Sequence, residues 1–205
     1  MTDGVIKYNF DFEKTKALEQ SKYLQIEELR ERLYALKLIG IQDGIGYGNI
    51  SQKSSDSTFV ITGTQTGHLD SLSGEHYAHI LRYSDRDFYL KSCGMIKPSS
   101  ESLTHGTIYN LHDEIRAVIH IHSKSIWRFM LKNSYLKTKD VPYGTKEMID
   151  EVNRIYADKE PLSDAKFVMS GHEDGVMSFG RTLKEAELNL YGVISEILTQ
   201  NSLLV

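Results

Sequence analysis

The chain has 205 residues, 40% hydrophobic and 25% charged, the usage of an ordinary globular protein rather than a disordered one. Its 24 basic and 28 acidic residues leave a formal net charge of −4, which weighs against capture of nucleic acid by bulk electrostatics. One cysteine, Cys93, and three prolines exclude a disulfide scaffold and a Pro-rich linker. No run approaches the ~18 uninterrupted apolar residues of a membrane helix. A lone thiol suits a reducing compartment, and the N-terminus lacks the basic start and apolar core of a signal peptide. The expectation is a soluble cytoplasmic protein acting on a small molecule, with no membrane or nucleic-acid partner.

Residues 1–20 are polar and mixed and read as an N-terminal arm or short helix. Residues 21–39 place Leu24, Ile26, Leu29, Leu33, Leu36 and Ile39 at helical spacing, with Gly40 as the expected stop. The stretch IQDGIGYGNISQK, with glycines at 44, 46 and 48, reads as a tight loop entering a strand. A β-branched strand is expected around 59–62 and another at 87–91. KPSSESLTHGTIYNLH resembles a helix start, with Glu101 near the positive end of the dipole. Residues 114–121 read as a buried strand, followed by a helix, SIWRFMLKN, and a loop over 137–146. KEMIDEVNRIYAD is an amphipathic helix, residues 166–170 and GVMSFG are strands, and a long amphipathic helix closes the chain. Interleaved strands and helices favour a layered α/β architecture, read as a single domain over residues 21–205.

The strongest chemical signal is His120-Ile121-His122. Strand side chains two apart share a face, so two imidazoles can meet one metal ion. His172, just after a strand and a glycine, is a third candidate. Three protein ligands leave an open position, the mark of a catalytic metal. Ser99 and Ser100 at a helix start can offer hydroxyls and N–H groups to an anion, with Glu101 beside them as a general base. The competing explanations are structural: histidines hydrogen-bonded at a strand end, serines capping a helix, and an acid compensating its dipole. Gly46-Tyr47-Gly48-Asn49-Ile50-Ser51 and Thr62-Gly63-Thr64-Gln65 are polar turns that let backbone approach a ligand. His68, His76 and His79 read as solvated or interface residues, with His76 and His79 able to share a helix face. His105 and His112 read as helix-surface or packing residues, and Trp127 and Phe129 as core, with Trp127 near enough to the His pair to line a pocket.

In order, GNIS at 48–51, ITGT at 61–64, PSSE at 98–101, HIH at 120–122 and GH at 171–172 resemble the class II aldolase/adducin family over nearly the whole chain. The resemblance implies a three-layer α/β/α fold with a central, largely antiparallel sheet. It implies zinc, a fourfold tetramer with active sites at subunit contacts, and a sugar-phosphate substrate. Residue by residue, it implies His120, His122 and His172 as zinc ligands and Glu101 as catalytic acid/base. Asn49, Thr64, Ser99 and Ser100 match the positions that hold the substrate phosphate. The implied reaction is retro-aldol cleavage through a metal-stabilised enediolate. Dehydratases and epimerases share the fold, as does a non-catalytic, adducin-like interaction protein, although the full triad and glutamate favour an enzyme. A metal-storage or sensing domain is a further alternative. Imidazole ligands also suit iron, nickel or cobalt. The chain departs from the family where Gln65 replaces a glycine beside the phosphate position and where Lys53 replaces an arginine. Tyr143 is the loop candidate for a catalytic tyrosine, and no tyrosine follows Tyr191.

Overall fold

Strand residues alternate between two faces, and in this chain both faces are apolar. In β5 (Thr58–Thr62), Phe59 and Ile61 join one apolar cluster while Val60 joins another. β8 (Ala117–His122) divides the same way, with Val118 in the first cluster and Ala117, Ile119 and Ile121 in the second. A sheet that is apolar on both faces has to be covered on both. The first face packs under α2 (Ser102–Leu111) and α4 (Lys146–Tyr156), through Leu103, Ile108, Met148 and Val152. The second packs under α1 (Leu24–Ala35), α3 (Lys124–Lys132) and α5 (Leu183–Ser202), through Ile26, Leu33, Ile126, Met130 and Leu190. The result is the expected α/β fold in three layers, seen in a computed structural model that describes residues 5–55 and 57–202.

The central sheet has eight strands in the order β1-β7-β6-β5-β4-β8-β10-β9. Its remaining members are β1 (Asn9–Lys14), β4 (Asn49–Ser55), β6 (Tyr77–Ser84), β7 (Tyr89–Gly94), β9 (Lys166–Val168) and β10 (Gly175–Gly180). Every pairing is antiparallel except that of β1 with β7. β8 sits between β4 and β10, so both of its edges are hydrogen-bonded.

Four local expectations are corrected. Residues 9–14 form an edge strand rather than an arm or short helix, because their backbone pairs with β7; residues 1–4 of that expected arm, and 203–205 of the expected domain, lie outside the described residues. The first helix stops at Ala35, not at Gly40. Lys37 takes a left-handed φ of 58°, and Leu38 and Lys37 donate to the carbonyls of Leu33 and Tyr34, which terminates the helix without a glycine. The glycine-rich stretch is a hairpin, β2 (Gly40–Gln42) with β3 (Ile45–Tyr47), turned by Asp43 and Gly44 at φ 53° and 82°. Two successive positive φ values make the type I′ turn that suits strand twist. His79 lies on strand β6, so it shares no helix face with His76. Among the described residues no helix is long and apolar enough to cross a membrane.

A buried ion pair ties α1 to the segment that follows β5. Arg30 and Glu27 are 1% and 6% exposed and stand 3.5 Å apart. Arg30 donates to the carbonyls of Leu69 and Asp70, while Glu27 accepts from the Leu72 N–H and the Tyr77 hydroxyl, both at 2.5 Å. Removing one partner of a buried pair leaves the other charge stranded. Arg30→Met is expected to lower the unfolding free energy in urea by about 3 kcal/mol. A loss under ~1 kcal/mol would show that the pair does not hold residues 69–72 in place.

Candidate metal centre

The alternation of β8 decides which side chains meet. Val118, His120 and His122 share one face, and Asn49 of β4 lies opposite His120 in the register. Gly175 of β10 lies opposite His122. His172 comes from the tight turn between β9 and β10, in which the Gly175 N–H donates to the His172 carbonyl at 2.9 Å. Gly175 has to be glycine here, because a Cβ would stand 2.6 Å from His172 Cδ2. Trp127 steadies the same turn by donating to the Met169 carbonyl at 2.9 Å; it is half-buried and lines neither of the clefts described below.

Three ring nitrogens converge. His122 Nε2 is 3.1 Å from His120 Nε2 and 2.9 Å from His172 Nε2. Two imidazole nitrogens bound tetrahedrally to one zinc at ~2.05 Å would stand about 3.3 Å apart. His120 Nδ1 is 3.2 Å from the Val176 carbonyl oxygen, which can only accept, so Nδ1 is the donor in that contact and Nε2 is the nitrogen turned toward the triad. Burial, together with the neighbouring His120 and His172, pushes His122 well below the ordinary 6.5 and keeps it neutral, the form that binds metal. Of the described residues, these three are the group able to hold a metal ion.

Glu101 caps α2 and borders the same point. Its Oε2 is 3.0 Å from His120 Nε2 and accepts from Asn49 Nδ2 at 2.9 Å. Its Oε1 is 3.9 Å from His172 Nε2 and is buried without a hydrogen-bond partner among the described residues. Burial by itself would raise the carboxyl. The His120 and His172 imidazoles and the Asn49 amide outweigh it and hold Glu101 well below the usual carboxylate range. Three inward ring nitrogens and an orphaned carboxylate oxygen form a donor set that fits a divalent cation.

Beside this point is a small inner pocket of ≈ 60 Å³, which Asn49, Thr64, Ser99, Ser100 and Glu101 all line together with His122 and His172. No described lysine or arginine lines it. The Glu101 N–H donates to Ser99 Oγ at 3.3 Å, a turn contact just before α2; the N-cap position itself is Glu101, and no side chain caps the helix. Asn49 lines the pocket, but its amide is committed to Glu101. Gln65, at φ 59°, stands at the pocket and accepts from the Gly46 N–H at 3.2 Å, tying the turn after β5 to the hairpin. An outer cleft of ≈ 490 Å³ shares Tyr47, His122, Tyr143 and His172 with the inner pocket and opens past Asp43, Asp140, Glu173 and Asp174.

Two aromatic rings back the imidazoles. Tyr143 lies 4.5 Å from the His172 ring and Tyr47 5.1 Å from the His122 ring, the latter at 23° between planes. Sequence reasoning treated Tyr47 only as part of a glycine-rich turn. Its signal was an aromatic between two glycines, which becomes meaningful once the hairpin folds over β8. Lys53 does not line either cleft; its ammonium stands 5.4 Å over the Tyr109 ring. His68, His76, His79 and His112 bond locally, to Gln65, Ser73, Ser54 and Glu114 respectively, and do not join the triad. His105 is fully buried, pushed by that burial down to about 3, with Nδ1 2.7 Å from Ser51 Oγ.

A family model described as Class II Aldolase and Adducin N-terminal domain matches residues 33–195. Solved structures share the fold at low identity. The YgbL protein of Klebsiella pneumoniae is 15% identical over 90% of each chain, with a TM-score of 0.66. An L-fuculose-1-phosphate aldolase from Thermus thermophilus is 20% identical over 91% of this chain and 93% of its own, with a TM-score of 0.60. A sugar-phosphate aldolase from Thermotoga maritima is 15% identical over 90% and 96%, with a TM-score of 0.62.

The geometry predicts metal content. Protein loaded with zinc and dialysed should retain about one ion per chain, and His120→Ala/His122→Ala should retain under ~0.2. Atomic absorption checks this, and equal retention in both proteins would remove the triad as the site.

Proposed function

The chain belongs to the class II aldolase and adducin N-terminal domain family, and from that premise we propose that it is a divalent-metal-dependent lyase cleaving a carbon–carbon bond in a sugar phosphate or related hydroxy-carbonyl compound. The observation that carries this reading is the convergence of His120, His122 and His172 beside an ionised, buried Glu101. A zinc or similar ion held by the three imidazoles would supply Lewis-acid polarisation of the substrate carbonyl. Glu101 is the proton carrier. Asn49 occupies Oε2, which leaves Oε1 to take up the carbinol proton as that carbon becomes a carbonyl. The electron pair of the broken bond passes to the other fragment, and Glu101 returns the proton to its α-carbon, so the step balances.

Thr64, Ser99 and Ser100 donate hydroxyl hydrogen bonds to the phosphate in the inner pocket, with the N-terminus of α2 favouring its charge. Asn49 acts mainly through Glu101. Anchoring at that end places the reacting carbons beside the triad and converts binding into orientation. Tyr47 and Tyr143 shield the ligand imidazoles from water. The same reading includes one domain, the expected span of residues 21–205 extended to take in β1, and a cytoplasmic homotetramer, the assembly that the family resemblance implies.

Product analysis on a panel of sugar phosphates tests the reaction type: fragments mean an aldolase, loss of water a dehydratase, an isomer of equal mass an epimerase. Zinc-loaded protein with no turnover on the whole panel would favour a non-catalytic, adducin-like role. Glu101→Gln is expected to keep its zinc and lose about 10³-fold in kcat; unchanged turnover would remove Glu101 from the mechanism. Ser100→Ala is expected to raise KM for the phosphorylated substrate about tenfold with kcat little changed, and an equal effect on an unphosphorylated analogue would disprove the phosphate role.

A further inference from the structure

The family match begins at residue 33, yet the N-terminal segment reaches the site from outside it. We propose that Lys7 and Tyr8 are positioning residues, each holding one of the two loops from which the anion pocket and the wall beside His172 are built. The roles of those loops rest on the function proposed above; the contacts themselves do not.

The segment is firmly anchored. β1 pairs in parallel with β7 over six residues, and the ladder is extended by the Asn9 N–H to Phe88 at 3.0 Å and the Thr15 N–H to Gly94 at 2.9 Å. Immediately before it, Tyr8 is 4% exposed, with its ring edge-on to Phe10 and Phe88 at 6.2 and 6.3 Å. Those contacts would be served equally by phenylalanine. The hydroxyl does something else: it donates to the Ser99 carbonyl at 3.0 Å, on the turn that presents Ser99, Ser100 and Glu101. Burial drives the Tyr8 phenol far above its ordinary range, so it stays a donor.

Lys7 reaches the other loop. Its ammonium donates to the Tyr143 carbonyl at 2.7 Å and stands 4.0 Å from the centroid of the Tyr143 ring. That ring packs against His172 at 4.5 Å. A charge-assisted hydrogen bond and a cation–π contact on one residue fix both its backbone and its ring. Two consecutive residues thus pin two loops that are 44 positions apart in the chain, as the separations of 91 from Tyr8 to Ser99 and 136 from Lys7 to Tyr143 show (143 − 99 = 44).

The test uses the full chain, first without ligand and then zinc-loaded with inorganic phosphate as the probe. Hydrogen exchange is followed in parent, Tyr8→Phe, Lys7→Met and Lys7→Arg proteins. Tyr89→Phe is the control, since it removes the Tyr89–Asp11 hydrogen bond on the same strand pair without touching either loop. Tyr8→Phe should speed exchange about tenfold across residues 98–103 alone, and Lys7→Met across 140–146 alone. Lys7→Arg should restore the second loop, and Tyr89→Phe should leave both unchanged. Phosphate affinity should fall about threefold to tenfold in Tyr8→Phe. Unchanged exchange in both loops, or a uniform rise over the whole sheet, would overturn the proposal. Should the parent not bind phosphate while the loops still loosen selectively, the positioning role stands and the anion-pocket reading fails.

Discussion

A carboxylate held out of water at the end of a sheet is the constraint on which the rest of this structure depends. Glu101 is 4% exposed and held below the usual carboxylate range, and it faces imidazoles whose Nε2 atoms also point inward. A buried charge is costly unless it is matched. The Asn49 amide satisfies one carboxylate oxygen; a cation at the meeting point of the three Nε2 atoms would answer the remainder. Such an arrangement survives only on a rigid frame. β8, hydrogen-bonded along both edges and packed on both faces, is that frame.

Keeping Glu101 beside His120 requires α2 and β4 to stay in register. A buried chain of hydroxyl and imidazole groups does this on the apolar face. Ser51 Oγ lies 2.7 Å from both His105 Nδ1 and the Tyr109 hydroxyl, two residues of α2. Ser51 is two positions from Asn49 on β4, so the link that docks the helix also aligns the amide with the carboxylate that it holds. Around this core the two compartments differ in character. The inner pocket is lined by hydroxyls, the Asn49 amide and the single carboxylate of Glu101 at the start of α2, while the outer cleft is rimmed by Asp43, Asp140, Glu173 and Asp174.

Much of this was legible in the residues. HIH on an apolar run states by its period that both imidazoles share a face, and PSSE states a helix start with polar groups at its positive end. Interleaved elements point to a layered α/β fold, and the family resemblance implies its three layers. Other elements resisted. NFDFEK is polar enough to pass for an arm, because an edge strand is half solvated and its parallel partner lies far along the chain. The first helix ends on Lys37 in a left-handed conformation, where glycine would be the expected signal. The stretch around Asp43-Gly44 reads as a loop rather than a hairpin, because the three-residue strands beside it are too short to show a period.

The sequence alone determined the residue types, the strand alternation that pairs His120 with His122, and the helix start that offers Glu101. These are local properties, set within one or two turns of chain by backbone periodicity. Only the tertiary structure decided that His172, 50 residues beyond His122, completes the triad. It also decided that Asn49 serves Glu101, that Tyr47 and Tyr143 back the imidazoles, and that Lys7 and Tyr8 reach the site loops. Those contacts depend on strand order, turn geometry and close backbone approach between distant segments, which no local pattern encodes.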